Sequence, residues 1–336
     1  MSDAAGGSYT AGPYAGGLGR EARGLTLELV RVTERAAIAA ARLRGKGNEK
    51  AADQAAVDAM RAELNALPID GTVVIGEGER DHAPMLFIGE RLGTGDGPAV
   101  DIAVDPLEGT TLCAKDMPGA IAIMAIAERA SMLAAPDVYM QKIAIGPGYP
   151  PGTVDLDASP ADNIAALARA KGVSPSEITA MILDRPRHAE LVAAVRATGA
   201  GIRLISDGDI AAIIHTTRPD DTGVDIYLGT GAAPEGVIAA GVLRCIGGQM
   251  QGRLVLDTPD RRSRAVAMGV TDPRRKYELH DLARGDVIVS ATGVTDGALL
   301  SGVRFRSRVI ETETLVYRSF SGTVRRIASE HRITEA

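Results

Sequence analysis

The stretch "DIAVDPLEGTT", residues 101–111, decides how the chain is read. Its apolar start, reaching from Ala99 to Val104, predicts a buried strand. Asp105 ends that strand, Pro106 fixes the next φ angle, and Glu108 is followed by Gly109, Thr110 and Thr111. Two carboxylates so close in a locked turn repel each other. A divalent cation removes that penalty, and hard Mg²⁺ or Mn²⁺ prefers oxygen ligands. The Gly-Thr-Thr run offers backbone N–H groups and hydroxyls that suit a phosphate. Carboxylates, metal and phosphate together point to metal-assisted phosphoryl transfer to water.

The same setting recurs outward from this turn. In "VVIGEGERDHAPM", residues 73–85, an apolar strand runs into Glu77, Glu79 and Asp81, with Gly76 and Gly78 between. "AAPEGV" puts Glu235 at the opening of an apolar helix, and "ISDGD" puts Asp207 and Asp209 after another strand. Taken one at a time, Asp209, Glu235 and Asp53 read as helix caps, because helix N-termini favour anions. His82 reads as an ordinary loop histidine.

The rest of the composition narrows the function class. The chain has 336 residues, 45% hydrophobic and 24% charged, which suits a globular α/β protein with a sizeable core. There is no Trp, with three Phe and seven Tyr, so stacking on nucleic-acid bases lacks its aromatic faces. A net charge of −6 argues against a phosphate-backbone binder, but not against small phosphates bridged by metal. Cys113 and Cys245 form no metal-type pair and read as buried, inert thiols, so a reducing compartment is expected. No apolar run reaches the ~18 residues of a membrane span. Residues 1–24 read as a flexible Gly/Ala tail without signal-peptide character, and a cytoplasmic protein with no nucleic-acid or membrane partner is expected.

Periodicity predicts helices over 25–44, 51–67, 188–198, 208–216 and 234–246. It predicts strands at 72–75, 99–104, 120–128, 139–145, 180–184, 202–206, 224–228, 248–257 and 286–293. "GPGYPPGT", residues 146–153, divides the chain into an N-terminal half, 25–150, with the metal motifs, and a C-terminal half, 151–330, with the substrate motifs. Met124 and Met250 read as core, and "DRRSRA", 260–265, as a solvated helix face. The fold class is α/β.

The turn "DPLEGT" resembles the D-P-(I/L)-(D/E)-G-T signature of the lithium-sensitive, metal-dependent sugar phosphatases. "VIGEGERDHAPML", "ILDRPRH", "RLISDGD" and "GAAPEGVIAA", in that order, narrow the resemblance to the GlpX-type class II fructose-1,6-bisphosphatases, from about Leu25 to Ile327. "VDPLEGTTLCA" and "APDVYMQKIA" resemble the branch that also hydrolyses sedoheptulose 1,7-bisphosphate.

That resemblance implies a layered α-β-α-β-α sandwich and hydrolysis of the 1-phosphate of fructose 1,6-bisphosphate, in gluconeogenesis or the Calvin cycle. It implies two Mn²⁺ or Mg²⁺ ions and a homo-oligomer, a tetramer or dimer. Asp53 and Glu77 would hold one ion, and Asp105, Glu108 and Glu235 the other. Glu108, Gly109 and Thr110 would hold the leaving phosphate, with Thr110 close to the reaction centre. Asp81 would help to activate the attacking water. Tyr139, Arg185, Pro186, Arg187, Asp207, Gly208, Asp209 and Ala232 would cradle the substrate. Arg185 and Arg187 can grip a distal phosphate with forked donors, while Asp207 and Asp209 can accept from sugar hydroxyls. His188 either helps there or starts the next helix.

Two positions depart from the family pattern. Many relatives carry a lysine where Glu49 stands, and Lys50, or else Lys46, is the substitute. Ala232 stands where relatives often have glycine, a change the backbone tolerates at negative φ. Two other readings compete. One is an inositol or other sugar monophosphatase, against which the Arg185/Arg187 pair argues. The other is a non-catalytic metabolite-binding protein, against which the complete ligand set argues.

Overall fold

A computed structural model describes residues 18, 22, 24–78 and 85–333. Two long helices open it, α1 (Leu25–Ala41) and α2 (Glu49–Asn65). The chain continues through β1 (Asp70–Ile75), β2 (Arg91–Leu92), β3 (Ala99–Glu108), α3 (Thr110–Ala114), β4 (Ile121–Glu128) and β5 (Tyr139–Ile145). There follow α4 (Pro160–Lys171), β6 (Thr179–Leu183), α5 (Ala189–Arg196), β7 (Gly201–Ile205), α6 (Asp209–His215), α7 (Pro219–Thr222), β8 (Ile226–Ala232) and α8 (Ala233–Ile246). The last elements are β9 (Gln249–Leu254), α9 (Pro259–Ala267), β10 (Tyr277–Glu278), α10 (Leu279–Leu282), β11 (Val287–Gly293), β12 (Arg304–Phe305), β13 (Val309–Arg318) and β14 (Thr323–Arg332).

Among the described residues the strands form two mixed sheets. The first runs β12-β13-β11-β4-β3-β1-β2, with β14 also paired to β13, and the second runs β10-β9-β5-β8-β6-β7. The α/β class therefore stands. Strand periodicity assigns each sheet two faces. Val100, Ile102 and Val104 of β3 pack with α1 and α2, whereas Ala103 and the β4 residues Ile123 and Ala125 face the opposite way. That opposite face shares a core with Ile210 and Ile213 of α6, Val237 and Ile238 of α8, and Met140 and Ala144 of β5. Ile143 and Ile145 turn outward to Ile164 and Leu167 of α4 and to Val195 of α5.

A chain of buried hydroxyls locks α1 onto the first sheet. Thr33 meets both Ser290 and Thr292 at 2.8 Å, and Thr292 meets Thr314 at 2.8 Å. Four hydroxyls buried in this way would each cost free energy unpaired, so they fix where α1 sits.

Three local differences from the sequence reading have clear causes. β8 runs on past the expected end at 228, through Gly229, Thr230 and Gly231 to Ala232. Glycine in a strand marks close approach of another group. A Cβ on Gly231 would sit 1.8 Å from Asp209 Oδ2. Periodicity also assigns no element to 160–171, yet Ser159 caps a helix there, its hydroxyl accepting from the Asp162 N–H at 3.1 Å. Nor does it assign strands to 309–318, which is mostly buried, or to 323–332, which is rich in charge and has no buried residue.

Candidate active site

Asp105 and Glu108 share a face because of a defect in β3. Residues three apart on a regular strand point to opposite faces. Here Asp105 pairs with Ile123 and Glu108 with Ile121, so three residue steps on β3 span only two on β4. This bulge turns both carboxylates toward α8. The Leu107 N–H donates to Asp105 Oδ1 at 3.2 Å and steadies the turn. A similar shift in β1, between Val73 and Ile75, turns Ile75 inward, and Glu77 lies two residues further on. Gly76 is required there, because a Cβ would fall 2.0 Å from the Leu86 carbonyl.

Two helices complete the set. Glu235 lies in the first turn of α8, behind Pro234. Asp53 is not the cap of α2. That cap is Asn48, whose side chain accepts from the Ala51 N–H at 3.0 Å, and Asp53 sits one turn inside the helix. Asp53, Glu77, Asp105, Glu108 and Glu235 all line one cavity of about 360 Å³, together with Gly109, Thr110, Asp137, Asp207 and Ala232. Asp105, Glu108 and Glu235 each offer an oxygen within 4.8 Å of the others.

Electrostatics shows what this costs. Burial, then the charge of Asp53, pushes Glu77 up to about 8. Burial, then Glu77 and Glu235, raises Asp105 well above the carboxylate range. Burial, then Asp105 and Asp209, does the same to Glu108. Burial, then Asp209, raises Glu235, and burial raises Asp53. Among carboxylates alone, burial and mutual repulsion favour the protonated forms. Hard divalent cations with oxygen ligands match the donor set and would displace those protons.

Other expected residues fall into separate places. Gly109, in the left-handed region at φ +84°, starts α3, and Thr110 follows it at the cavity wall. Asp207 lines the cavity, accepts from the Gly208 N–H at 3.1 Å, and feels the charge of Arg185. Gly208, at φ +86°, is the turn before α6. Ala232 has φ −66°, so its side chain is accommodated without strain. Tyr139, Arg185, Pro186 and Arg187 do not line the carboxylate cavity. Arg187 lies over the Tyr139 ring at 4.8 Å and donates through Nε and Nη2 to the Thr230 carbonyl. Asp81 and His82 fall outside the described residues. Lys46 and Lys50 are exposed and absent from the cavity wall, while the charge of Glu49 reaches Asp207.

Asp209 is 2% exposed, and its Oδ2 accepts from Lys142 and, at 3.2 Å, from Tyr227. His188 spends its ring on the backbone, with Nδ1 2.7 Å from the Leu183 carbonyl and Nε2 accepting from Thr230 N–H at 2.9 Å. Sequence reasoning missed Lys142, Tyr227, Asp137 and Arg261. Lys142 had a signal: in β5 it shares parity with Met140 and Ala144, which point inward. Arg261, within the stretch read as solvated, lies 5.4 Å from the Tyr139 ring. Cys113 and Cys245 are buried, with thiols raised by burial, as expected of inert groups.

Strand-end carboxylates, a glycine-led helix start and an arginine-aromatic patch fit the class of metal-dependent phosphatases. The family follows from comparison. The chain belongs to the bacterial fructose-1,6-bisphosphatases, glpX-encoded, whose family model matches residues 23–331. A relative from Synechococcus sp. (strain CC9902), a D-fructose 1,6-bisphosphatase class 2/sedoheptulose 1,7-bisphosphatase, is 45% identical over 313 residues, 89% of this chain and 93% of its own. Fructose-1,6-bisphosphatase 1 class 2 of Escherichia coli (strain K12) is 46% identical over 323 residues, 92% of this chain and 95% of its own. Among the described residues no helix is long and apolar enough to cross a membrane.

Proposed function

We propose that this chain hydrolyses the 1-phosphate of fructose 1,6-bisphosphate with two Mn²⁺ or Mg²⁺ ions. One observation carries the reading: five acidic side chains, from α2, the turn after β1, β3 and α8, meet in the cavity that Gly109 and Thr110 also line. Asp53 and Glu77 would hold one ion; Asp105, Glu108 and Glu235 would hold the other. When bound, such ions neutralise phosphoryl oxygens and make water a nucleophile at neutral pH. The protein supplies position and charge. Gly109 and Thr110 hold the phosphate, and Asp81 takes the proton of the attacking water. Asp207 accepts from a sugar hydroxyl. Arg187, anchored on Thr230 and Tyr139, receives the distal phosphate, with Arg185 beside it.

The name of the Synechococcus relative supports a seven-carbon bisphosphate as second substrate. The three separate cores support a layered α-β-α-β-α sandwich. Residues 25–150 then contribute four of the five metal ligands and residues 151–330 most substrate contacts, with Glu235 the exception. The active form is a homo-oligomer in the cytoplasm.

Phosphate release from fructose 1,6-bisphosphate, with and without Mn²⁺ or Mg²⁺, tests the reading. Metal-dependent release is expected. No release at any metal level would remove it, and equal turnover of inositol monophosphate would favour a monophosphatase.

A further inference from the structure

Lys142 is a buried cation in the middle of an acidic site. Its side chain is 0% exposed, and Nζ donates to Asp209 Oδ2 and, at 2.7 Å, to the Ala232 carbonyl. Tyr227 donates a further bond to the same Asp209 oxygen. The other oxygen, Oδ1, is buried and receives no bond from an N–H or hydroxyl. Asp209 and Glu235 lie within hydrogen-bonding reach of each other. The residue after Asp209 also serves the site: the Ile210 N–H donates to Glu108 Oε1 at 2.8 Å.

The surroundings are shaped for this pair. A Cβ on Gly231 would strike Asp209 Oδ2 at 1.8 Å, and one on Gly236 would meet Lys142 Cδ at 3.1 Å. A buried ion pair contributes little stability against an apolar pair of equal volume, because desolvation offsets the attraction. Its placement needs another reason. Ala232 starts the helix that carries Glu235, so Lys142 fixes that helix start with one proton and Asp209 with another. Groups behind a ligand set its orientation and charge, and losing them typically weakens metal binding ~10–100-fold.

We infer that Lys142 is a positioning residue for the metal-binding carboxylates, acting on Glu235 through Asp209 and the Ala232 carbonyl. The inference rests on the two-metal reading above and names a device within it. With Lys142 removed, the Ala232 carbonyl at the start of α8 and the Asp209 carboxylate both lose a donor that fixes them, and Glu235 loses its set position.

The test uses metal-free full-length protein titrated with Mn²⁺, reading free Mn²⁺ by electron paramagnetic resonance without substrate. The variants are Lys142→Met, of similar length, and Tyr227→Phe, which keeps the ion pair and removes only one bond. Lys142→Met should weaken one of two Mn²⁺ equivalents about 10–100-fold and spare the other. Tyr227→Phe should shift the same equivalent by a smaller factor, and it decides the matter if Lys142→Met does not fold. Wild-type affinity in the folded variants would overturn the inference. So would equal loss of both equivalents together with a lower melting temperature, which marks a merely structural role. Failure of the wild type to bind two ions would instead remove the two-metal reading, and the inference with it.

Discussion

Glu77→Gln isolates the cost of keeping the site ready. Glu77 moves from an ordinary 4.5 to about 8, through burial first and the neighbouring Asp53 second. Below 4.5 neither the folded nor the unfolded chain has released this proton. Between 4.5 and about 8 the unfolded chain has released it and the folded chain keeps it, so stability falls as pH rises. Above about 8 the loss is complete. Each tenfold change in proton affinity is worth ~1.4 kcal/mol, so the raised value corresponds to roughly 5 kcal/mol against the metal-free, ionised fold. The carboxyl borders an open cavity, and water there reduces this to about 2–3 kcal/mol. Glutamine has the same shape and no charge to lose. Unfolding in guanidinium with a chelator present, followed by circular dichroism, should therefore show Glu77→Gln gaining about 2–3 kcal/mol on wild type between pH 5 and pH 9. Adding Mg²⁺ at pH 9 should favour the wild type instead. A difference that does not change with pH, or a variant that loses ground as pH rises, would refute the reasoning.

Other outcomes follow from the same geometry. Asp105→Ala should cut phosphate release roughly a thousandfold or more, losing several kcal/mol of metal-borne stabilisation, while the circular dichroism spectrum stays unchanged. Arg187→Ala should raise KM for fructose 1,6-bisphosphate about 10–100-fold, the worth of a charge-assisted bond, and hardly affect a monophosphate ester. Similar effects on both substrates would undo its assignment to the distal phosphate. The Mg²⁺ concentration for half-maximal activity should fall as pH rises from 7 to 9, by up to about tenfold per pH unit, because raised carboxyls must lose protons to bind metal. A flat dependence would mean that these groups are already ionised in the metal-free protein.

Much of this was legible in the residues themselves. Apolar runs ending in Gly-flanked acids located the strand ends, and four motifs in order identified the family. What periodicity could not convey was which way a side chain points after a bulge. Asp105 and Glu108 read as a cation-binding pair in one turn; the irregular register of β3 is what puts both on one face. Asp209 read as a partner of Asp207 facing the sugar, yet one lies in the cavity wall and the other behind it. Asp207 and Asp209, two apart in sequence, part company at the start of α6, where Gly208 takes the left-handed conformation. The strand 323–332 was illegible because it has no run of apolar residues, while 309–318 carried a legible signal in Leu315, Val316 and Tyr317 and α4 in Ser159, Pro160 and Gly172.

The central claim, that five carboxylates bind two dications where a phosphoester is cleaved, is tested most directly by anomalous scattering at the manganese edge from crystals grown with Mn²⁺. Two peaks inside the cavity are predicted, one against Asp53 and Glu77 and one against Asp105, Glu108 and Glu235. An empty cavity, with manganese absent or bound only at other acids, would contradict the account.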